Sequence, residues 1–208
     1  REMVRVIVGS GEMLVRLIDD ILDLSRIEAG RISLREEPFE ICRVMRESIG
    51  LIEPLAADKG LRVLKDPSPV PPPAMIGDPV RLKQVLLNLL GNAIKFTEEG
   101  SVTIGLRVTP GETDCTAEIR ISDTGIGIPA GERAAVFDNF YRGQSGRPRD
   151  PGGAGLGLAV ARGLVEAMGG RIWIDEGGGE GTGTTFRLSL TLPLADAPAV
   201  SAAGAATP

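Results

Sequence analysis

Residues Arg81–Thr97 read RLKQVLLNLLGNAIKFT, and they form the clearest helical pattern in the chain. Asp78 and Pro79 stand just before this stretch, and an N-cap acid followed by proline is a strong helix start. We therefore predict a helix over residues 79–96. Its apolar side chains recur at helical spacing and predict one buried face. They are Leu82, Val85, Leu86, Leu89, Leu90, Ala93 and Phe96.

The opposite face of this helix is polar and contains two asparagines. Asn88 and Asn92 are one turn apart, and Lys95 continues the same line; Arg81 and Gln84 precede them. Asparagine is a poor residue for a helix interior, so this polar row invites an explanation. A solvated helix face is one reading. The other is a row of ligands, because amide oxygens can coordinate Mg²⁺ and an ammonium group binds phosphate.

Two glycine-rich segments flank predicted elements further along the chain. Asp123–Ile128, DTGIGI, directly follows a predicted strand over residues 116–122, and Gly152–Leu158, GGAGLGL, opens a predicted helix over residues 156–168. Backbone N–H groups at a helix start attract anions. Gly125 to Ala130 formally fits a loose dinucleotide-binding pattern, but the acid expected about 20 residues downstream would fall in a loop. Taken singly, a turn-capping acid and an ordinary glycine-rich loop explain the two segments equally well.

The rest of the chain predicts a mixed α/β arrangement. Residues 1–30 read as one amphipathic helix whose apolar seam needs a partner helix. That seam is formed by Met3, Ile7, Leu14, Leu17, Ile21 and Leu24. Further helices are predicted over residues 42–58 and 131–137, and strands over 39–41, 61–64, 75–77, 101–108, 171–175 and 184–192. We expect an α/β two-layer sandwich with helices on one face of a mixed sheet, preceded by a long docking helix.

Composition narrows the class of protein. The 208 residues carry a formal net charge of −5, so the chain as a whole is not expected to bind nucleic acid. No apolar run is long enough to span a bilayer, so we expect no membrane contact by this chain. Two well-separated cysteines fit a reduced, cytoplasmic setting. The chain has no histidine, and it begins with Arg1 inside a helical pattern, which indicates a fragment.

Five segments taken in order resemble the catalytic, ATP-binding domain of bacterial sensor histidine kinases. This domain belongs to the wider superfamily of gyrase, chaperone and histidine kinase ATPases. Arg81–Thr97 resembles its asparagine box, and Asp123–Pro129 its first glycine box. Val136–Gly143 (VFDNFYRG), Gly152–Leu158 and Gly181–Phe186 (GTGTTF) resemble its phenylalanine box and two further glycine boxes. Leu17–Gly30 (LIDDILDLSRIEAG) resembles the second helix of the dimerisation and phosphoacceptor domain.

The resemblance implies three regions and a set of site residues. Residues 1–32 would be the second dimerisation helix, 33–193 the catalytic domain, and 194–208 a disordered Ala/Pro-rich tail. Asp123 would accept a hydrogen bond from the adenine amino group, Asn92 would bind Mg²⁺, and Asn88 and Lys95 would act in catalysis. The other nucleotide-binding candidates are Gly125, Gly127, Ile128, Phe140, Arg142, Gly153, Gly155, Leu156, Gly157, Leu158 and Thr185.

A mobile lid over residues 141–153 is also implied, with Arg142, Arg147 and Arg149 able to reach the γ-phosphate. Phe137 and Phe140 are expected to pack beneath the lid and anchor it. The cofactors would be ATP or ADP with Mg²⁺.

The function implied is transfer of the γ-phosphoryl group of Mg-ATP to a histidine on a dimerisation domain that this chain does not include. The hydrolytic ATPases of the superfamily have a glutamate at the position of Asn88, and an amide cannot act as a general base. This argues against efficient ATP hydrolysis. The implied partners are the dimerisation domain of the same kinase, a response regulator receiver domain and, in the full-length protein, a second copy. The alternative is a nucleotide-binding pseudokinase or scaffold module that acts on a partner kinase.

Overall fold

The computed structural model describes residues 2–66, 68, 71–142, 154–176 and 182–195. The helices are α1 (Glu2–Glu28), α2 (Ile41–Asp58), α3 (Pro79–Phe96) and α4 (Gly157–Ala167). The strands are β1 (Glu37–Phe39), β2 (Arg62–Asp66), β3 (Met75–Gly77), β4 (Ser101–Pro110), β5 (Asp114–Asp123), β6 (Arg171–Ile174) and β7 (Thr185–Pro193). Two short 3₁₀ helices, Ala130–Glu132 and Ala135–Phe137, follow β5.

A five-stranded mixed sheet forms the centre of the described fold. Its strand order is β2-β4-β5-β7-β6. The β2–β4 pair is parallel, and the other three pairs are antiparallel. A smaller antiparallel pair joins β1 to β3. The predicted mixed sheet is therefore confirmed.

One face of the sheet is buried beneath the helices, and the other is polar. Along β5 the residues from Cys115 to Asp123 alternate between buried and partly exposed, as a half-covered strand requires. Helices α2, α3 and α4 contact β2, β5 and β6 respectively, so they lie side by side on the buried face. On the other face Arg187 pairs with Asp175 and Glu118. This is the predicted two-layer arrangement.

Helix α3 has the predicted bounds. The Asp78 carboxylate caps it, since its Oδ1 accepts from the backbone N–H of Arg81 at 2.9 Å. Other boundaries differ from the prediction. The strand predicted over residues 39–41 is observed at Glu37–Phe39. It ends at Phe39 because the chain turns at Glu40, and the buried Ile41 begins α2. Residues 131–137 form the two 3₁₀ helices instead of one α-helix, and Gly131 interrupts the helical propensity there.

Helix α1 packs against α3 and α4 through its last turns. Ile27 lies against Gly163 of α4, where an added β-carbon would meet its side chain at 2.6 Å. The buried Asp23 accepts from Arg81 at 2.7 Å and from Gln84 at 2.9 Å. The other side of the helix exposes an apolar strip formed by Leu14, Val15, Ile18, Ile21 and Leu22. Among the helices described, none has both the length and the apolar character needed to cross a bilayer.

Candidate functional site

Asp123 is a buried carboxylate at the end of β5, with only 9% of its surface exposed. Its Oδ1 accepts from the backbone N–H of Gly125 at 2.9 Å and from that of Thr184 at 3.2 Å. Burial raises the pKa of Asp123, and these two hydrogen bonds offset part of the effect. Both of these bonds are made to Oδ1, and no hydrogen bond to Oδ2 is found among the described residues. The second oxygen is therefore available to a donor that enters from outside.

The first glycine loop, residues 124–128, lies directly against the end of α3. The N–H of Ile126 donates to the carbonyl oxygen of Phe96 at 3.3 Å. A β-carbon on Gly125 would lie 2.4 Å from that same oxygen, so glycine is required for this close approach. Gly127 has a positive φ of 75°, and Ile128 packs partly buried against the core. The loop that holds Asp123 is thus joined to the helix that carries the polar row.

Asn88 connects the polar row to the start of α4. Its Nδ2 donates to the carbonyl oxygen of Gly157 at 3.0 Å. Asn88, Asn92 and Lys95 are all partly exposed, at i, i+4, i+7 spacing on one face of α3. The Lys95 ammonium lies 5.0 Å from the centre of the Phe96 ring. The row therefore runs from the α4 start to the first glycine loop.

The first turn of α4 has no side-chain cap. Leu156 is buried at its N-cap, and Leu158 packs partly buried against the core. Gly155 contacts the end of the phenylalanine box, since a β-carbon there would lie 2.6 Å from the carbonyl oxygen of Tyr141. Backbone N–H groups of an uncapped helix start favour an anion. The α4 start is therefore suited to a phosphate group.

Thr184, the residue before the nucleotide-binding candidate Thr185, is the threonine that contacts Asp123. Thr184 is buried, and its N–H donates to the Asp123 carboxylate. Thr185 lies on the polar face of the sheet, where its hydroxyl pairs with Ser122 at 2.7 Å. Neighbouring positions on an extended chain point to opposite faces, so the side chains of Thr184 and Thr185 differ in burial. The contact is made by the backbone N–H of Thr184, so no side-chain pattern in the sequence marks it.

The predicted lid lies mostly outside the described residues. These exclude Gly153, Arg147 and Arg149, while Arg142 is described and exposed. Phe137 is buried and makes an edge-to-face contact with Phe186, with ring centres 6.1 Å apart. Phe140 has a positive φ of 60° and is 62% exposed. The packing prediction thus agrees with Phe137, but Phe140 is exposed instead of packed because the chain turns at that residue.

The arrangement offers an acceptor at one end and anion-binding groups at the other. The open Oδ2 of Asp123 fits an amino donor such as that of adenine. The amides of α4 and the polar row fit a triphosphate, and the amide oxygens of asparagine are hard ligands of the type Mg²⁺ prefers. The described residues contain no cluster of three or more Asp, Glu, His or Cys side chains that could hold a metal. A magnesium ion here would depend on amide and phosphate oxygens.

The chain matches the family described as histidine kinase-, DNA gyrase B- and HSP90-like ATPases over residues 77–195. It is 40% identical over 188 residues to the sensor protein GacS of Pseudomonas syringae pv. syringae, covering 89% of this chain and 20% of that protein. It is 36% identical over 193 residues to the signal transduction histidine-protein kinase BarA of Escherichia coli (strain K12), covering 92% and 21%. The chain therefore spans about one fifth of the length of these curated relatives.

Solved structures give the same picture of the fold. Full-length ShkA, determined in complex with AMPPNP, has a TM-score of 0.78 and 34% sequence identity, and the match covers 94% of this chain and 39% of that one. The Acinetobacter baumannii histidine kinase AdeS has a TM-score of 0.70 at 22% identity, with 94% and 86% covered, and shows a shared fold.

Proposed function

Because the chain belongs to the histidine kinase-, DNA gyrase B- and HSP90-like ATPase family, we propose that it is the catalytic, ATP-binding part of a two-component sensor histidine kinase. In this proposal it binds Mg-ATP and transfers the γ-phosphoryl group to a histidine. The chain itself contains no histidine, so the acceptor is supplied by another segment or another chain. The proposed acceptor is a dimerisation domain, from which a response regulator would later receive the phosphoryl group.

The observation that carries the proposal is the hydrogen bonding of Asp123. One carboxylate oxygen is held by two backbone N–H groups, and the other has no hydrogen-bond partner among the described residues. Burying a carboxylate oxygen without a hydrogen-bond donor costs free energy, and a bound ligand that supplies the donor removes this cost. The exocyclic amino group of adenine is such a donor. We assign Asp123 to adenine recognition on this basis.

The phosphate end is assigned to α3 and α4. The N–H groups of Gly157 and Leu158, at the uncapped start of α4, would bind phosphate oxygens. Asn92 would coordinate Mg²⁺, which neutralises phosphate charge when bound, and Lys95 would add a positive charge nearby. The Asn88 amide is already used as a donor to Gly157, and it cannot remove a proton. These groups position and neutralise; none of them is a general base.

In this proposal, phosphoryl transfer needs few further groups from this chain. A neutral imidazole nitrogen of the acceptor attacks the γ-phosphorus, the bond from that phosphorus to the bridging oxygen breaks, and ADP leaves. Alignment and charge neutralisation are the main contributions that phosphoryl-transfer enzymes make. Because none of the groups assigned here can act as a base on water, we expect ATP hydrolysis to be slow. The reaction is proposed to take place in the cytoplasm, where ATP is available.

The test combines binding with transfer. ATP labelled on the γ-phosphate and Mg²⁺ are mixed with the chain and an added histidine-containing dimerisation domain of a related kinase such as GacS. We expect acid-labile label on the added domain. Asp123→Asn should raise the Kd for Mg-ATP about 10- to 150-fold, since a hydrogen bond to a charged group contributes ~1.5–3 kcal/mol. It should also abolish the labelling.

Asn139→Ala is the matched control, because Asn139 is exposed and bonds to Glu28, outside the proposed site. It should bind Mg-ATP as the parent does. Binding without transfer would overturn the kinase assignment in favour of the pseudokinase or scaffold alternative. Equal binding by the parent and Asp123→Asn would overturn the adenine assignment. Fast steady-state hydrolysis would contradict the role given to Asn88.

A further inference from the structure

The last four carbonyl oxygens of α3 all have partners, although a helix end cannot satisfy them internally. The Thr97 hydroxyl donates to the carbonyl oxygen of Ala93 at 2.7 Å. The Lys59 ammonium donates to those of Ile94 at 2.8 Å and Lys95 at 3.0 Å. The carbonyl oxygen of Phe96 accepts from the first glycine loop. This end of the helix is therefore fully bonded.

Lys59 contributes most to this arrangement, and it comes from another element. It is the C-cap residue of α2, and its ammonium also reaches the carbonyl oxygen of Thr97 at 3.4 Å. One cation thus binds three carbonyls on both sides of Phe96, where the negative end of the helix dipole lies. A cation at a helix C-terminus stabilises that end and fixes its last turn.

The last turn of α3 connects the two ends of the candidate site. It carries Lys95, with Asn92 one turn earlier, and its Phe96 carbonyl contacts the first glycine loop. Asp123 also has anchors outside this contact, because the pairing of β5 with β7 and the N–H of Thr184 hold it in place. A disturbance at the end of α3 would therefore move the polar row more than the carboxylate.

We infer that Lys59 is a positioning residue for the phosphate end of the site. Its ammonium fixes the α3 terminus and thereby sets Asn92 and Lys95 against the rest of the nucleotide pocket. The inference rests on the proposed function, because it assumes that the polar row binds the Mg-triphosphate. The inference goes beyond the proposed function because it assigns a role to Lys59, which lies in neither α3 nor a glycine loop. Lys59 is 35 residues away from Ile94 in the sequence.

The chain offers a matched control on the same pair of helices. Lys83, on α3, donates to Glu47 of α2 at 2.9 Å. Lys59→Met and Lys83→Met each remove one ammonium group and one link between α2 and α3. Only Lys59→Met uncaps the end that carries the polar row. Any general loosening of the two helices should affect both variants alike.

The experiment measures affinity for Mg-ATP by calorimetry and for adenosine by NMR titration, in the parent, both lysine variants and Asp123→Asn. Lys59→Met should raise the Kd for Mg-ATP about tenfold, the size of effect seen when a residue that orients a ligand-binding group is removed. Its Kd for adenosine should change less than about twofold, since Asp123 keeps its own anchors. Lys83→Met should leave both values as in the parent.

An unchanged Mg-ATP affinity in Lys59→Met, or equal losses for Mg-ATP and adenosine, would overturn the inference. The inference would also be overturned if Lys83→Met changed the ratio of the Kd for Mg-ATP to the Kd for adenosine as much as Lys59→Met does. If Lys59→Met does not fold, Lys59→Gln, which keeps a neutral donor, replaces it and the same ratio decides. Failure of the proposed function is recognised separately, because the parent would then bind no Mg-ATP or Asp123→Asn would bind it equally well.

Discussion

A β-carbon on Gly183 would lie 1.9 Å from the carbonyl oxygen of Asp123, so the two backbones are in direct contact at the candidate site. Gly183 also has a φ of +82°, a conformation that side-chain-bearing residues rarely adopt. The segment before β7 therefore passes over Asp123 only because a glycine is present. Thr184, the next residue, can then donate its N–H to the carboxylate.

Replacing Gly183 by alanine should lower the free energy of unfolding more than the same change at Gly169. Gly169 has a similar φ of +75°, but no atom within 4 Å of an added β-carbon. We expect ~1–2 kcal/mol for Gly169→Ala from the backbone conformation alone. Gly183→Ala should cost a further 1–3 kcal/mol or so from the steric conflict. Urea denaturation measures both values, and equal losses would show that the contact with Asp123 does not matter.

The helix that carries the polar row was predictable because its signals are local. Asp78, Pro79 and the apolar spacing fix both ends of α3, and the structure has those ends. The first glycine box likewise pointed to Asp123 through the resemblance. The partner of the carboxylate was harder to predict, because the bond comes from the backbone N–H of Thr184, which depends on how β5 and β7 are paired. A pattern read along one strand does not supply that information until the register is known.

The Lys59 contacts could not have been predicted from the sequence. They join the end of α2 to the end of α3, and a lysine before a glycine reads as an ordinary exposed helix terminus. The separation of the two 3₁₀ helices after β5 was also missed, since packing on the core decides such short segments more than propensity does. Long-range contacts thus account for the parts of the site that were missed.

The protonation of Asp123 should make adenosine binding sensitive to pH. Burial raises the pKa of this carboxyl above its ordinary value of 3.8. Because Oδ1 already accepts from two backbone N–H groups, the proton of the neutral form would lie on Oδ2 and remove the acceptor for the amino group. The affinity for adenosine should therefore fall as the pH drops through the raised pKa. NMR titration at a series of pH values measures this. Adenosine is used instead of ATP because the phosphate groups of ATP themselves titrate at about pH 6. Constant affinity down to the ordinary pKa would contradict the assignment.

The pH dependence of folding stability that Asp123 causes should have the opposite sign to that of adenosine binding. Between 3.8 and the raised pKa, the folded state binds a proton that the unfolded state does not. The contribution of Asp123 to stability therefore improves as the pH falls through this window, and it worsens as the pH rises. The difference in unfolding free energy between the parent and Asp123→Asn isolates this group from the other carboxylates. A difference that does not vary with pH across the window would be inconsistent with the raised pKa.

Asn88→Asp should destabilise the chain because it places one acceptor opposite another. The Asn88 Nδ2 lies 3.0 Å from the carbonyl oxygen of Gly157, and a carboxylate oxygen would replace it there. We expect a loss of about 1–3 kcal/mol in the free energy of unfolding. Asn139→Asp makes the same change where Asn139 donates to Glu28 on the surface, and should cost less than about 0.5 kcal/mol. Equal effects in urea denaturation would mean that the link from α3 to α4 contributes little.

The exposed apolar strip of α1 should cause the chain to self-associate. Leu14 is 59% exposed and Ile21 50%, while Ile18 and Leu22 lie on the same side at helical spacing. The opposite side of the helix is already buried, because Asp23 contacts α3 and Ile27 contacts α4. A helix cannot bury such a strip alone, so a second copy is the partner available in a pure sample.

Sedimentation velocity over a range of concentrations tests this association. The parent should form a dimer as its concentration rises, and the combined change Leu14→Lys, Ile18→Lys, Ile21→Lys should leave it monomeric. Lysine has a helix propensity close to that of leucine, so α1 itself should persist. The control is Leu51→Lys with Leu55→Lys, a similarly exposed pair on α2, which should associate as the parent does. If the triple variant still forms dimers and the α2 variant does not, the contact between copies lies on α2. If the parent stays monomeric at all concentrations, the exposed strip of α1 does not drive self-association.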